Sequence, residues 1–299
     1  MAAMALRLFV LSLVIGACCA FGGEAPITIA APQEQKNEAP LWSFDVKSDY
    51  TFGSKIMKAA SLGSQAAYHY EVEALRDFHL FDKYYLQFGA DWERFDFSRS
   101  NNVFPYALSS VAAEMNVAYW TGDEFYPLLK LGPGVYYTRD YITKNSFDIP
   151  IRAVAGVKIF DNVHLVLGID ADPFEEEPVI PLGGFNWKIN DQFNLRAVFP
   201  EPRFSYTPNQ TLEFFIAGDF VGGGYRNGPT NDRRTNDAIL DYTGYRADGG
   251  IGYNPRKGLS IEATIGWSIQ RRFDYFRSGP DFSSKSAPYM KLDVSIDLF

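Results

Sequence analysis

Cysteine is almost absent from this chain, and the two that occur, Cys18 and Cys19, lie within the first 20 residues. A disulfide framework is therefore excluded for the rest of the sequence. Long apolar runs are missing too, because beyond residue 24 none approaches the about 18 residues that a membrane-spanning helix requires. A spanning β-strand needs only about 9–11 residues of alternating character. The absence therefore excludes membrane helices and leaves membrane strands open.

Histidine and positive charge are also scarce. The formal net charge of −8 argues against nucleic acid as a partner, because phosphate binding requires a basic surface. The 3 histidines are His69, His79 and His164, and no two of them stand at metal-ligand spacing. The sequence therefore predicts no metal site and no cofactor.

The first residues have the features of an export signal. Arg7 precedes an apolar run over 8–15, and small residues follow. This pattern predicts a signal peptide over residues 1–20 that is cleaved on export, with a flexible Pro/Ala/Gln-rich leader over 21–40. A lipobox at "IGAC", which would place a lipid on Cys18, is the alternative.

From residue 41 to residue 299 the dominant pattern is strict alternation. In "WSFDVKSDYTF", residues 42–52, the apolar side chains share one face and the polar ones share the other. Similar stretches recur to the end of the chain, joined alternately by short turns and longer polar connections. With a brief strand at 203–206 the count is 14, and 12 is the nearest alternative. The pattern predicts an all-β fold, an antiparallel up-and-down transmembrane β-barrel with both chain ends on the short-turn side.

A soluble sandwich or lipocalin-like barrel would also alternate. The continuous apolar face favours the membrane barrel, with tryptophans at positions suited to interfacial girdles: Trp42, Trp92, Trp187 and Trp267. Two prolines fit badly, since Pro133 and Pro181 each remove a ladder donor, and we expect a bulge or lost pairing at both. "DYTGYRADGG" changes phase near Gly244, so either Asp241 lies above the bilayer or the strand slips.

The polar face is the candidate functional surface, because it would line the lumen. Its predicted lumen-lining residues are Asp45, Lys47, Glu71, Glu73, Asp91, Glu114, Arg152, Lys188, Arg196, Glu213 and Glu262. Acids modestly outnumber bases on this face, and charged rings set ion preference in pores. An open lumen would therefore favour cations weakly. If the charges instead pair across the interior, the lumen is filled and does not conduct.

The whole exported chain resembles a bacterial outer-membrane β-barrel protein, ending on "KLDVSIDLF" with an aromatic residue of the kind that the barrel-assembly machinery reads. Residues from about 125 to 299 are similar to an uncharacterised barrel family of unknown function. The stretches that carry this similarity are "LLKLGPGVYYTRDY", "VIPLGGFNWKINDQFNLRAVFPEPRFSY", "YRADGGIGYNP" and "IGWSIQRRFDY". The resemblance implies a location in the outer membrane, with lipid and lipopolysaccharide as neighbours. Phe299 is one residue out of phase, which predicts a bulge in the last two residues or a side chain at the lumen rim.

Taken together, the sequence predicts a pore or transporter for small hydrophilic or amphipathic solutes. A structural or adhesive barrel with a filled lumen is the alternative. A lipid-modifying enzyme is disfavoured: His69, with Glu71 on the same face, is the one mid-strand candidate base, and it would need a serine such as Ser64 within reach. The oligomeric state stays open.

Overall fold

A computed structural model describes residues 41–58, 61–81, 83–98, 104–119, 125–275, 277 and 279–299. The predicted signal peptide and leader lie outside the described residues. Every regular element within those ranges is a β-strand. No helix of the described chain is long and apolar enough to cross a membrane.

Seventeen strand segments follow one another along the chain. They are β1 (Trp42–Met57), β2 (Ser61–Phe81), β3 (Tyr84–Phe97), β4 (Ala107–Tyr119), β5 (Phe125–Leu131), β6 (Gly134–Thr138), β7 (Phe147–Asp148), β8 (Ile151–Phe160), β9 (Val163–Ala171), β10 (Val179–Lys188), β11 (Phe193–Phe199), β12 (Arg203–Asn209), β13 (Leu212–Arg226), β14 (Ile239–Arg256), β15 (Leu259–Asp274), β16 (Asp281–Ser284) and β17 (Ala287–Leu298). Three neighbouring pairs, β5/β6, β7/β8 and β16/β17, each form one interrupted wall strand, which gives 14 wall strands.

The wall is closed because the last strand pairs with the first. β1 pairs with β2 on one side and with β17 on the other, from Trp42 opposite Leu298 to Thr51 opposite Tyr289. All ladders are antiparallel except one parallel bridge between β13 and β6. The predicted 14-stranded antiparallel barrel is confirmed, and both described chain ends lie on the short-turn side.

The outer surface of the barrel is apolar. Outward side chains on the middle of the strands are widely exposed, as at Ile265 (74%) and Ile216 (63%). Aromatic rings crowd the short-turn end, where Tyr84 lies 4.8 Å from Tyr119 and Trp42 stacks on Phe44. An exposed apolar belt with aromatic girdles suits lipid and would be a liability in water. This outer surface favours the membrane-barrel prediction over the soluble alternative.

The barrel wall is taller on one side than on the other. β1–β4 and β13–β15 contain 13 to 21 residues, whereas β8–β12 contain 7 to 10. β11 and β12 pair only over 193–196 and 203–206. Among the described strands, β13 above Ala217 has no ladder with β12, and β10 begins its ladder with β11 only at Gly183. A gap in the wall therefore lies between upper β10 and upper β13.

Both prolines disturb pairing, as expected. The wall strand is interrupted at Gly132 and Pro133, so that β5 pairs with the lower part of β4 and β6 with its upper part. Pro181 pairs with Ile169 of β9 but has no partner on the β11 side. Here the missing N–H of proline coincides with the edge of the wall gap, where no donor is needed.

The phase change in β14 has a different cause from a slip of that strand. The register between β13 and β14 is unbroken from Leu212 to Arg226. The extra residue lies in β15, where Ile269 is skipped between the pairs of Ser268 and Gln270. Asp241 is the third residue of β14, at its long-loop end, where it accepts a hydrogen bond of 2.9 Å from the Glu176 N–H.

Phe299 leaves the strand and does not form a bulge. The register between β1 and β17 shows no shift up to Leu298, so the bulge alternative is wrong. The ring instead lies against the β14–β15 turn, with Lys257 Nζ 4.1 Å from its centroid. The last residue therefore sits at the short-turn rim as part of a turn contact.

Inward aromatic side chains fill the lumen at the long-loop end. Phe95 and Phe97 of β3 meet Tyr242 of β14 at ring-centroid distances of 4.9 and 5.6 Å, and Phe97 meets Phe273 of β15 at 5.3 Å. These strands are not neighbours in the wall, so the contacts cross the lumen. We call this buried group the aromatic plug; its members are Ile56, Ala67, Phe95, Phe97, Phe104, Leu108, Tyr225, Leu240, Tyr242, Phe273, Tyr275 and Phe282.

Replacing Phe273 by alanine should destabilise the barrel by about 3–5 kcal/mol, the usual cost of a large cavity in a packed core. Its ring is only 1% exposed and touches three other rings of the plug. Urea unfolding of the refolded barrel measures the loss. Phe88→Ala is the control, because Phe88 faces outward with 52% exposure and detergent can fill its place. Equal losses in the two variants would contradict a packed plug.

Candidate functional site

A charged cavity of about 270 Å³ lies inside the barrel next to the aromatic plug. Side chains from almost every wall strand line it. Thirteen of them are Asp or Glu, and seven are Lys or Arg. The acid excess expected from the polar face is therefore concentrated around this space.

The predicted lumen residues fall into two groups. Seven of them line the cavity: Lys47, Glu71, Asp91, Glu114, Arg152, Arg196 and Glu262. The other four lie elsewhere on the inner face or at its rim: Asp45 and Glu73 are buried nearer the short-turn end, Glu213 binds Arg203, and Lys188 is exposed and pairs with Asp191. Alternation along the strand predicts which face a residue occupies. Its position along the barrel axis decides whether it also lines the cavity.

His69 is the centre of the polar network at the boundary between cavity and plug. Its Nδ1 lies 2.7 Å from Asp49 Oδ2, and its Nε2 lies 3.0 Å from Glu93 Oε1. The imidazole stacks on Phe95, with centroids 4.1 Å apart and an interplanar angle of 9°. The ring is thus held at both nitrogens and on one face.

Two strands from the far side of the lumen complete this network. Arg246 of β14 donates from both Nη atoms to Asp49, at 2.8 and 2.9 Å. Tyr225 of β13 donates its hydroxyl to Glu93 Oε2 at 2.7 Å. Neither contact follows from local sequence spacing, because the partners are 197 and 132 residues apart.

This geometry does not assemble the disfavoured hydrolase. Both nitrogens of His69 face carboxylate oxygens, so the form that satisfies both contacts is the imidazolium, which has no lone pair with which to accept a proton. His69 is buried, whereas Ser64 is exposed. A Ser–His pair needs a direct hydrogen bond between nucleophile and base, and these two residues do not form one.

Strand register creates a group that the sequence did not reveal. One ligand atom each from His69, Glu71 and Glu93 lies within 4.8 Å of the other two. His69 and Glu71 share the inner face of β2, and Glu93 is directly opposite Glu71 on β3. Local spacing shows only the first pair, because the third member comes from the neighbouring strand. The sequence analysis did not identify Arg203 and Tyr225. Strand parity places both on the inward face of their strands, and this parity was the signal that could have found them.

Most charges around the cavity are paired with neighbours. Arg203 is the clearest case, since it binds Glu213 on β13 and also reaches Glu262 on β15, each at 2.8 Å. Lys47 lies 3.0 Å from Glu71, and Lys130 lies 2.9 Å from Glu114. Many of these side chains are therefore held in place, as the filled-lumen alternative requires.

The β9–β10 connection, residues 172–178, covers the wall gap. Phe174 packs directly on Gly224 of β13, where a Cβ atom would lie 2.2 Å from Phe174 Cβ, so only glycine fits there. Arg226 lies over the Phe174 ring at 5.4 Å. Glu176 is 2.8 Å from Arg272 of β15. We call residues 172–178 the cover loop.

The cover loop carries carboxyl groups with raised pKa values. Burial raises the pKa of Asp172 well above its usual range, and the facing Asp148 carboxyl raises it further. Burial, followed by repulsion from Asp241 and Asp170, raises the pKa of Glu175 to about 8. Asp148 Oδ2 is buried without a hydrogen-bond donor, so a proton on Asp172 is the simplest partner for it. The docked loop therefore favours the protonated form of these groups.

Comparisons with known proteins give fold-level likenesses only. No family model and no curated protein matches the chain. An outer-membrane channel from Pseudomonas putida F1 aligns with a TM-score of 0.47 and 11% identity, over 89% of this chain and 98% of that one. A deletion mutant of the monoaromatic hydrocarbon channel TodX gives 0.48 and 10%, over 91% and 94%. A FadL homologue of Pseudomonas aeruginosa gives 0.43 and 9%, over 94% and 97%.

The raised pKa values predict a pH-dependent cover loop. A carboxyl whose folded-state pKa is raised keeps its proton when the unfolded chain has lost it, so stability falls as the pH rises from about 4 towards about 8. Asp172→Asn mimics the protonated form and should reduce this fall. Urea midpoints at pH 5 and pH 8 measure it. Asp191→Asn, on an exposed turn, is the control and should behave as the wild type; an identical pH dependence in the Asp172 variant would contradict the assignment.

Proposed function

We propose that the protein is an outer-membrane channel that passes small hydrophilic solutes and prefers cations. The observation that carries this proposal is the acid excess around the cavity, where carboxylates outnumber Lys and Arg side chains by six (thirteen against seven). Charged walls set ion preference in pores, because a low-dielectric surround strengthens their field. An anion in this space would face mostly carboxylates.

The low side of the wall is the proposed route. Cavity-lining residues include Asp172 and Glu175 of the cover loop and, on β13, both inward and outward residues such as Asp219 and Phe220. Outward residues reach the cavity only where the wall is incomplete. The space therefore extends from the lumen to the cover loop.

A barrel without conduction is the second candidate, and the cross-lumen contacts favour it. The plug closes the tall side, and Arg271 of β15 reaches across to Ser54 and Gln65 of β1 and β2. Solutes could pass only if the cover loop, or part of the ion-pair network, moves. A permanently filled barrel would serve a structural or adhesive role.

The proposal also includes how the protein reaches the membrane and what it contacts there. We infer export through a signal peptide cleaved after residue 20, insertion by the barrel-assembly machinery, and contact with lipopolysaccharide through the outer loops. The basic pair at 233–234, in the long β13–β14 connection, is suited to lipid phosphates, because arginine binds phosphate in a bidentate manner. Catalysis has no part in this proposal.

Conductance across a planar bilayer tests the proposal. The refolded wild type should give discrete steps with a reversal potential that shows cation preference in a salt gradient. Asp219→Asn should reduce that preference, because it removes one cavity carboxylate while Arg246 keeps its two hydrogen bonds to Asp49.

The matched control is Asp161→Asn, since Asp161 is fully exposed on the short β8–β9 turn outside the cavity. Its selectivity should equal that of the wild type. Silence of a correctly folded wild type, shown by its heat-dependent migration on a gel, would reject the channel and support the filled barrel. Anion preference would reject the role of the acid excess.

A further inference from the structure

We propose that His69, Glu71 and Glu93 form a binding site for a divalent transition-metal ion on the inner wall of the barrel. The inference does not depend on conduction, because a filled barrel could hold the same ion. It departs from the prediction made from sequence spacing. The register that joins β2 to β3 brings one ligand atom of each residue within 4.8 Å of the others, and sequence spacing does not show this.

The distance between the first two ligands suits coordination. His69 Nε2 and Glu93 Oε1 are 3.0 Å apart. Zinc binds imidazole nitrogen and carboxylate oxygen at about 2.0–2.2 Å, which in a tetrahedral shell places neighbouring ligand atoms about 3.3–3.6 Å apart. An ion can therefore replace the proton that now lies between the two atoms, with only small movements of the side chains.

Each ligand residue is oriented by a second partner at an atom that the metal does not need. His69 binds Asp49 through Nδ1, and Asp49 is itself fixed by Arg246. Metal-bound histidines almost always have such a carboxylate or carbonyl at the other nitrogen, because it fixes the ring and raises its basicity. The stack on Phe95 fixes the plane of the ring as well.

The two glutamates are held in the same manner. Glu93 accepts the Tyr225 hydroxyl at Oε2, which leaves Oε1 directed at His69. Lys47 Nζ donates to Oε1 of Glu71 at 3.0 Å, which orients this carboxylate. Two carboxylates and one imidazole supply three ligands, and water from the adjoining cavity would complete the shell, because all three residues line that cavity.

The donor set decides the class of ion. Imidazole suits zinc, nickel, copper and iron, whereas calcium and magnesium take oxygen ligands almost exclusively. Binding releases one proton: the imidazolium of His69 gives up its Nε2 proton to solvent, Nε2 coordinates the ion, and Nδ1 keeps its proton for Asp49, so the net charge of the site rises by one. Metal affinity should therefore fall as the pH is lowered, because a proton competes for Nε2.

Isothermal titration of the full refolded chain with zinc chloride in detergent tests the inference. The wild type should bind one equivalent of zinc. Its affinity should fall about tenfold for each unit by which the pH is lowered, where binding displaces one proton. His69→Ala and Glu93→Gln should each lower the affinity at least about tenfold. Glu71→Gln is a further variant, which keeps an oxygen for Lys47 if removal of the histidine prevents folding.

His164→Ala is the matched control, because His164 lies on β9 near a short turn and outside the group. It should bind zinc as the wild type does. Absence of saturable zinc binding, equal binding by folded His69→Ala and Glu93→Gln variants, or displacement of zinc by an equal concentration of calcium would each overturn the site. The titration needs no bilayer, so failure of the channel and failure of the metal site give different results.

Discussion

The ion pair between Arg246 and Asp49 is the contact on which the interior of this barrel depends. Both side chains are nearly fully buried, at 3% and 1% exposure, and they connect β14 to β1 across the lumen. A buried charge is tolerated only when it is paired and its remaining hydrogen-bonding capacity is used. Asp49 meets that condition with two donors from Arg246 and one from His69. Removing either partner would take the two shared hydrogen bonds from a buried charge.

The consequences extend above and below this pair. Above it, Tyr242 and Phe95 pack on the same boundary, so the polar network has an aromatic ceiling. Below it, the cavity carboxylates face solvent-sized space. A polar network that is fully satisfied makes an interior rigid, because every member restricts its neighbours. These contacts close the lumen on the side of the longer strands. In the proposed channel, a solute would therefore pass on the side of the shorter strands, β8–β12.

Alternation in the sequence was enough to predict the number of wall strands and the inward face of the charged side chains, since parity in a β-strand is fixed by geometry. Glu71 and Arg152 were assigned to the lumen in this manner. The register between strands could not be predicted from the sequence. It depends on which residue of the next strand lies opposite, and turns and bulges far apart in the chain determine this. Glu93 opposite Glu71, and Tyr225 across from Glu93, are products of register and closure. The cover loop was also missed, since its "EEE" resembles any solvated acidic loop until Phe174 is seen against Gly224.

The uneven height of the barrel wall bears on what the interior can do. A barrel that served only as a scaffold could keep all 14 strands at similar length and fill its lumen with apolar side chains, which cost nothing to desolvate. In this chain, β11 and β12 are instead short, the wall above them is open, and the loop that covers the gap has buried carboxyl groups that favour their protonated form. A loop whose docking is stabilised by protonation is docked less firmly at neutral pH than at acid pH. If the proposed channel function holds, this pH-sensitive loop is the expected point of entry to the acid-rich cavity.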